Sequence, residues 1–451
     1  MRIPGRPAAT RARGLRGGAL VLACLVVLAC WPARAPLAAA PLAHREVLPN
    51  GIVLLVAERP AVPIVAVRVL MRAGSVHDPT DRGGLANLTG AVVTRGTAKR
   101  TGPELDSAIE FVGGSVEAGA GRDTLTVSMT TQKKDMTLGL DLVSEVVLTP
   151  AFPGAEVTRK VAEIQAAIKR SEEDPGTVAA RALGKLVFQG HPYGRPVEGT
   201  RESVGKLTRE DVVKFYREYA RPDTTVIAVV GAVTVDEARR EIMARFGSWA
   251  RPSTPLPTVP LATSSATGRE ETVTRELTQA TIMFGRQAIL QTDPDYFPLA
   301  VASYVLGGGS ASRLYTRVRE ESGLAYSVYS WVSPWRHGAS FAVSAQTRTA
   351  EVPKVVAMLR EELARMGREP VADRELALAK QYLIGSFPLR LDTSGKVADF
   401  LVAVEDRGLG LDYADRYRER IGKVTAADIQ RVAAKFFAPA AFDLVVVGAT
   451  K

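Results

Sequence analysis

The chain has 451 residues, 46% of them apolar and 24% charged, with a formal net charge of +10. That length exceeds one ordinary hydrophobic core and calls for two domains or more, and the composition is that of a globular protein, not a disordered one. Six arginines and no acids fall in residues 1–40, which leaves +4 for the rest of the chain; with no basic tract in it, no nucleic-acid partner is expected.

At the N-terminus, Arg2, Arg6, Arg11, Arg13 and Arg16 precede an apolar run from Gly17 to Trp31. The run is short for a membrane span, which needs about 20 residues. Ala-x-Ala patterns follow at Ala33–Ala35 and Ala38–Ala40. Together these features predict a secretory signal peptide over residues 1–40 and an exported protein of the periplasm or cell envelope. Both cysteines, Cys24 and Cys30, lie inside that segment, so the mature chain has no thiol or disulfide chemistry. Val27-Leu28-Ala29-Cys30 also loosely resembles a lipoprotein processing site, and a lipid on Cys30 is then the one expected route to a membrane tether.

Strands are predicted for GIVLLVAERP and AVPIVAVRVLM, the two segments that follow one another from Gly51 to Met71. SVEAGAGRDTLTV, from Ser115 to Val127, is a third candidate strand, and Gly119 and Gly121 suit an exposed sheet edge. Val157, Val161, Ile164 and Ile168 recur at helical spacing, as do Val356, Leu359 and Leu363. A stretch rich in Pro, Ser and Thr, RPSTPLPTVPLATSSATG at residues 251–268, reads as a linker between residues 44–250 and 269–451.

The two halves resemble each other. Residues 204–232 align without gaps on residues 421–449, and Gly205, Lys206, Thr208, Asp211, Pro222, Val229, Val230, Gly231 and Ala232 all recur. Thr208 and Thr425 read as helix N-caps with an acid three residues on, each helix leading through a Pro turn to an apolar strand. The expected fold is α+β: two homologous sandwich domains, each a mainly antiparallel sheet with helices on one face, joined into a clam-shaped chamber.

GGLANLTGAVVTRGT, from Gly83 to Thr97, resembles the signature helix of the pitrilysin/insulysin family of zinc metallopeptidases. There the pattern G-L-x-H-x-x-E-H puts two histidine ligands on one helix face with a glutamate base between them. Gly84, Leu85, Gly96 and Thr97 match that frame, whereas Asn87, Gly90 and Ala91 stand at the histidine, glutamate and histidine positions. The family's third ligand is a glutamate some way along the chain, and in AAIKRSEEDP Ala166 and Ala167 fall where it is expected. Methyl groups bind no metal, so no metal and no cofactor is expected in this chain.

The resemblance extends over nearly all of the mature chain. HPYGRPVEGT, from His191 to Thr200, matches a family segment, and so does LGGGSASRLYTRVREESGLAYSVYS, from Leu306 to Ser330. His191 has no second histidine near it in sequence and is read as structural, bonded within the turn around Pro192 and Gly194. Gly307 to Gly309 are not followed by Gly-Lys-Ser/Thr, which argues against a phosphate loop. They are expected to free the backbone before a helix capped by Ser310 or Ser312 and stopped near Gly323.

Active members of the family have an arginine and a tyrosine spaced R-x6-Y in the C-terminal half, reaching toward substrate over the metal. Arg319 and Tyr326 have that spacing here. Some family members divide the work between two chains, one bearing HxxEH and one supplying the Arg/Tyr pair. This chain has the second profile, which implies a zinc-bearing homologous partner, unstructured peptides as substrate, and Arg319 and Tyr326 acting in trans. Glu117, Ala118 and Gly119, on the candidate edge, are the expected peptide contacts. The rival readings are an assembly subunit and a peptide-binding protein, neither with a role in proteolysis.

Overall fold

The computed structural model describes residues 41–263 and 268–448, so the segment expected to be a signal peptide, with Cys24 and Cys30, lies outside the described residues. The first half contributes β1 (His44–Val47), β2 (Val53–Glu58), β3 (Ile64–Met71), β4 (Ser115–Ala120), β5 (Leu125–Gln132) and β6 (Thr225–Gly231). They form one sheet in the order β1-β2-β6-β3-β5-β4, antiparallel except where β2 and β6 run parallel. The second half gives β7 (Glu270–Val273), β8 (Gln279–Ala288), β9 (Ala325–Pro334), β10 (Ala339–Arg348) and β11 (Asp443–Val447) in the order β7-β11-β8-β10-β9. β7 and β11 run parallel, so this sheet repeats the first without its β1 strand.

The repeated segments explain themselves locally. Thr208 and Thr425 each accept a backbone N–H three residues on, and Asp211 and Asp428 bond back to close a capping box. Each helix then passes through a Pro-initiated turn into an inner strand, β6 or β11. Gly231 and Gly448 recur because both adopt positive φ, at 142° and 100°, a region that side chains other than glycine avoid.

Period-two alternation sorts the strand residues onto two faces. In the first sheet Leu54, Val56, Val67, Ile227 and Val229 meet helices of their own half, among them Leu85–Val92, Met136–Leu148 and Val235–Phe246. Their neighbours Leu55, Ala57, Ala66, Ala228 and Val230 face the other way, where the second half's helix Ser394–Asp406 covers them with Val397, Ala398, Leu401 and Val402. The exchange is reciprocal. Helix Pro175–Val187 of the first half lays Ala179, Leu183 and Val187 on Met283, Ala342, Val445 and Val447 of the second sheet. Each sheet therefore carries its own helices on one face, as expected, and one borrowed helix on the other.

Polar contacts reinforce this interlock. Arg45 is bidentate to Glu405 at 2.9 and 2.8 Å, Arg68 bonds Asp399 at 2.6 Å, and Arg72 bonds Asp406 at 2.9 Å. The hairpins that carry the two edge strands also meet: the Asp123 carboxylate, at the tip between β4 and β5, accepts the backbone N–H of Arg336 at 3.1 Å. The segment Ser115–Val127 is thus not one strand but a hairpin, because the chain turns at Gly121, whose N–H donates to the Thr124 carbonyl at 2.8 Å. No helix among the described residues is long and apolar enough to cross a membrane.

Candidate functional site

The helix Leu85–Val92 carries the three positions that correspond to the metal-binding signature. Asn87 and Ala91 are half-buried on it, and Gly90 is buried against β4. Ala166 and Ala167 are exposed on the helix Gly154–Ser171, which the expected apolar positions Val157 and Ile168 hold against the core. The helix N-terminus is held by a residue sequence reading passed over. The buried Asp78 accepts the N–H groups of Gly84 and Ala86 at 2.8 and 2.9 Å, doing the work of an N-cap where Gly84 has no side chain.

Burial raises the Asp78 carboxyl from 3.8 to about 7, against the pull of those two N–H groups. The folded chain then holds this proton more tightly than the unfolded one, so the Asp78 contribution is lost as pH rises from 3.8 through about 7. Asp78→Ala is expected to cost about 1–3 kcal/mol by leaving buried donors without acceptors. It should also remove that slope, and thermal melts of both proteins across the pH window check the two effects.

His191 takes the structural role its sequence setting implies. Its Nδ1 accepts the Tyr193 N–H at 3.1 Å and its Nε2 lies 3.1 Å from the Pro260 carbonyl, tying the linker to the first half. The buried Tyr193 hydroxyl donates to Asp123 at 2.5 Å and accepts the His337 N–H at 2.9 Å. Arg122 lies over the Trp335 ring at 4.8 Å and donates to the Tyr193 carbonyl at 2.6 Å. This cluster joins the halves; nothing in its bonding leaves a nitrogen of His191 free for a ligand.

Arg319 and Tyr326 are brought together at the edge of the second sheet. Residues Tyr315–Glu321 wind as a π-helix and stop at Gly323, which has φ 61° and whose N–H donates to the Arg319 carbonyl. The expected caps are absent: the Ser312 hydroxyl is buried without a partner, and the π-helix has no side-chain cap. The turn is fixed instead by ion pairs on its inner side. Arg313 is bidentate to Glu375 at 2.8 Å, and the buried Glu362 bonds both Arg317 and Arg365.

Arg319 forms no salt bridge among the described residues, although Arg313 and Arg317 beside it are both paired. Its guanidinium lies between two rings, 4.8 Å from the Tyr315 centroid and 5.4 Å from that of Tyr326. β9 bulges opposite Gln346 and Thr347, so that Tyr326 is the extra residue in the ladder. The bulge turns Tyr326 outward, 76% exposed, with Tyr329 also exposed farther along the strand. An unpaired cation and a phenol thus stand side by side, facing solvent, able to grip a carbonyl or carboxylate and to donate to a developing oxyanion. Glu117, Ala118 and Gly119 are elsewhere, on β4 at the edge of the first sheet, with Glu117 and Gly119 exposed.

The family model described as Insulinase (Peptidase family M16) matches residues 53–201, and that described as Peptidase M16 inactive domain matches residues 206–383. A solved structure described as a peptidase M16 inactive domain from Pseudomonas fluorescens has a TM-score of 0.85 at 24% identity, covering 91% of this chain and 98% of that one, and so shares the fold. An uncharacterized zinc protease of Streptomyces coelicolor is 29% identical over 86% of each chain. One of Mycobacterium tuberculosis is 30% identical over 80% of this chain and 84% of the relative. The chain belongs to the insulinase family.

Zinc, the metal that the insulinase signature implies, does not fit the residues present. At the signature positions the chain offers an amide, a hydrogen and methyl groups, and among the described residues no group of three or more His, Cys, Asp or Glu could hold a metal ion. Sequence reading missed Tyr315, four residues before Arg319 and stacked on it by the π-helical turn. Ring chemistry at that spacing was a signal, but nothing in the sequence announced a π-helix. The bulge at Tyr326 was equally silent.

Proposed function

We propose that this chain is the exported, zinc-free subunit of a heteromeric insulinase-type peptidase, lending Arg319 and Tyr326 to the metal site of a homologous partner. The observation that carries the reading is the pairing of an unbridged, ring-stacked Arg319 with a solvent-facing Tyr326 in a chain whose own signature helix has lost its donors. An arginine held only by rings keeps its five N–H donors for an incoming peptide. The outer side of β4 pairs with no other strand among the described residues, which supports docking of an extended peptide along Glu117, Ala118 and Gly119. The partner is a relative with intact HxxEH, and the periplasm or cell envelope is the compartment the leader implies.

The test is reconstitution with such a relative. Cleavage of an unstructured peptide by the mixture, and by neither chain alone, is the expected result. A stable association in which cleavage does not depend on this chain would instead make it an assembly subunit. Peptide binding with no association would make it a capture module.

A further inference from the structure

Gly90 sits in the interior of the helix Leu85–Val92, where glycine is a poor choice because it leaves the unfolded chain too free. Its place is explained by what lies opposite. A Cβ built there would stand 2.7 Å from the Ala120 nitrogen, 2.9 Å from the Gly119 carbonyl carbon and 3.1 Å from the Gly119 Cα. All three are backbone atoms of β4, so no side-chain rotation relieves the contact. The second half has a counterpart. The helix Tyr296–Gly307, which likewise follows an inner strand and precedes the edge strand, ends on Gly307, whose Cβ would stand 2.6 Å from the Ser330 nitrogen of β9. In both halves a helix glycine lets the edge strand close onto its helix.

We propose that Gly90 is a positioning residue: it lets β4 settle onto the signature helix, filling the space a carboxylate side chain at position 90 would need and fixing the edge along which peptide docks. The metal chemistry of the first half is then lost in the backbone as well as in the side chains. The docking part rests on the function proposed above; the packing part does not.

The variant Gly90→Ala separates this from an ordinary helical glycine. Gly184, in the helix Pro175–Val187, has nothing within 4 Å of a built Cβ, so Gly184→Ala should leave the melting temperature unchanged or raise it. Gly90→Ala should lower it by roughly 2–6 °C through overpacking, with hydrogen-exchange protection lost at residues 115–120 before β6. A Gly90→Ala protein as stable as the parent overturns the proposal. Should that variant be insoluble, two reversions decide. N87H/A91H/A167E, which touches only half-buried or exposed positions, should fold with the parent's melting temperature. Adding G90E should abolish folding or lower that temperature, and a four-site variant as stable as the three-site one refutes the packing claim. Calorimetry with an unstructured peptide reads the docking arm: weaker binding to folded Gly90→Ala than to the parent supports it. A parent that binds no peptide removes docking while the melting comparison still stands.

Discussion

Tyr326→Phe, in a reconstituted pair with an HxxEH-bearing relative, is expected to lower kcat/KM for peptide cleavage by about 10²-fold, the usual loss on deleting one oxyanion donor. The substitution removes only a hydroxyl and keeps the ring on which Arg319 lies. Arg319→Ala should reduce cleavage by roughly tenfold or more, since it removes a charged donor that forms no salt bridge among the described residues. Because Tyr326 is 76% exposed and Arg319 is exposed too, neither change should move stability beyond about 0.5 kcal/mol. Loss of rate with unchanged melting is thus the signature of a role at a partner's site. Unchanged rates in both variants would remove the trans contribution altogether.

Leu401→Ala is expected to destabilise the whole chain by about 2–5 kcal/mol. Leu401 is fully buried, yet it belongs to the second half and packs on the first sheet beside Leu55, Ala228 and Val230. The ion pairs of the same helix, such as Arg45 with Glu405, are partly exposed and contribute little by comparison, so apolar burial decides the outcome. With the helix exchange reciprocal, truncation on one side should loosen both sheets together. Hydrogen exchange in denaturant reads this directly: β6 and β11 should lose protection over the same range. A β11 that stays protected while β6 opens would show that the halves fold independently.

Much of this architecture was legible in the sequence, for identifiable reasons. The capping boxes at Thr208 and Thr425 and the glycines at 231 and 448 are local devices, and local devices leave residue-level marks. The helix exchange left a mark too, though a subtler one. VLLVAE and TVIAVVG show no alternation of apolar and polar residues, and strands buried on both faces have that property. A sheet with helices on one face alone would have alternated. The hairpin within Ser115–Val127 was hidden because its turn residues, Gly121 to Asp123, lie between two segments of similar character.

At the site the balance reverses. The Arg319–Tyr326 spacing was readable, but their contact depends on a π-helix and on a bulge opposite Gln346 and Thr347, and neither has a local sequence pattern. Asp78 caps a helix from six and eight residues before its bonded N–H groups, beyond the reach of a local cap pattern. Gly90 looked like a lost glutamate, and only the backbone of β4 shows what the glycine does there.

The most direct measurement is elemental analysis of the purified chain, alone, with peptide cleavage followed in the presence and absence of a chelator. Negligible zinc and no cleavage until the HxxEH-bearing relative is added is the expected result. Stoichiometric zinc in the lone chain, with chelator-sensitive cleavage, would contradict it.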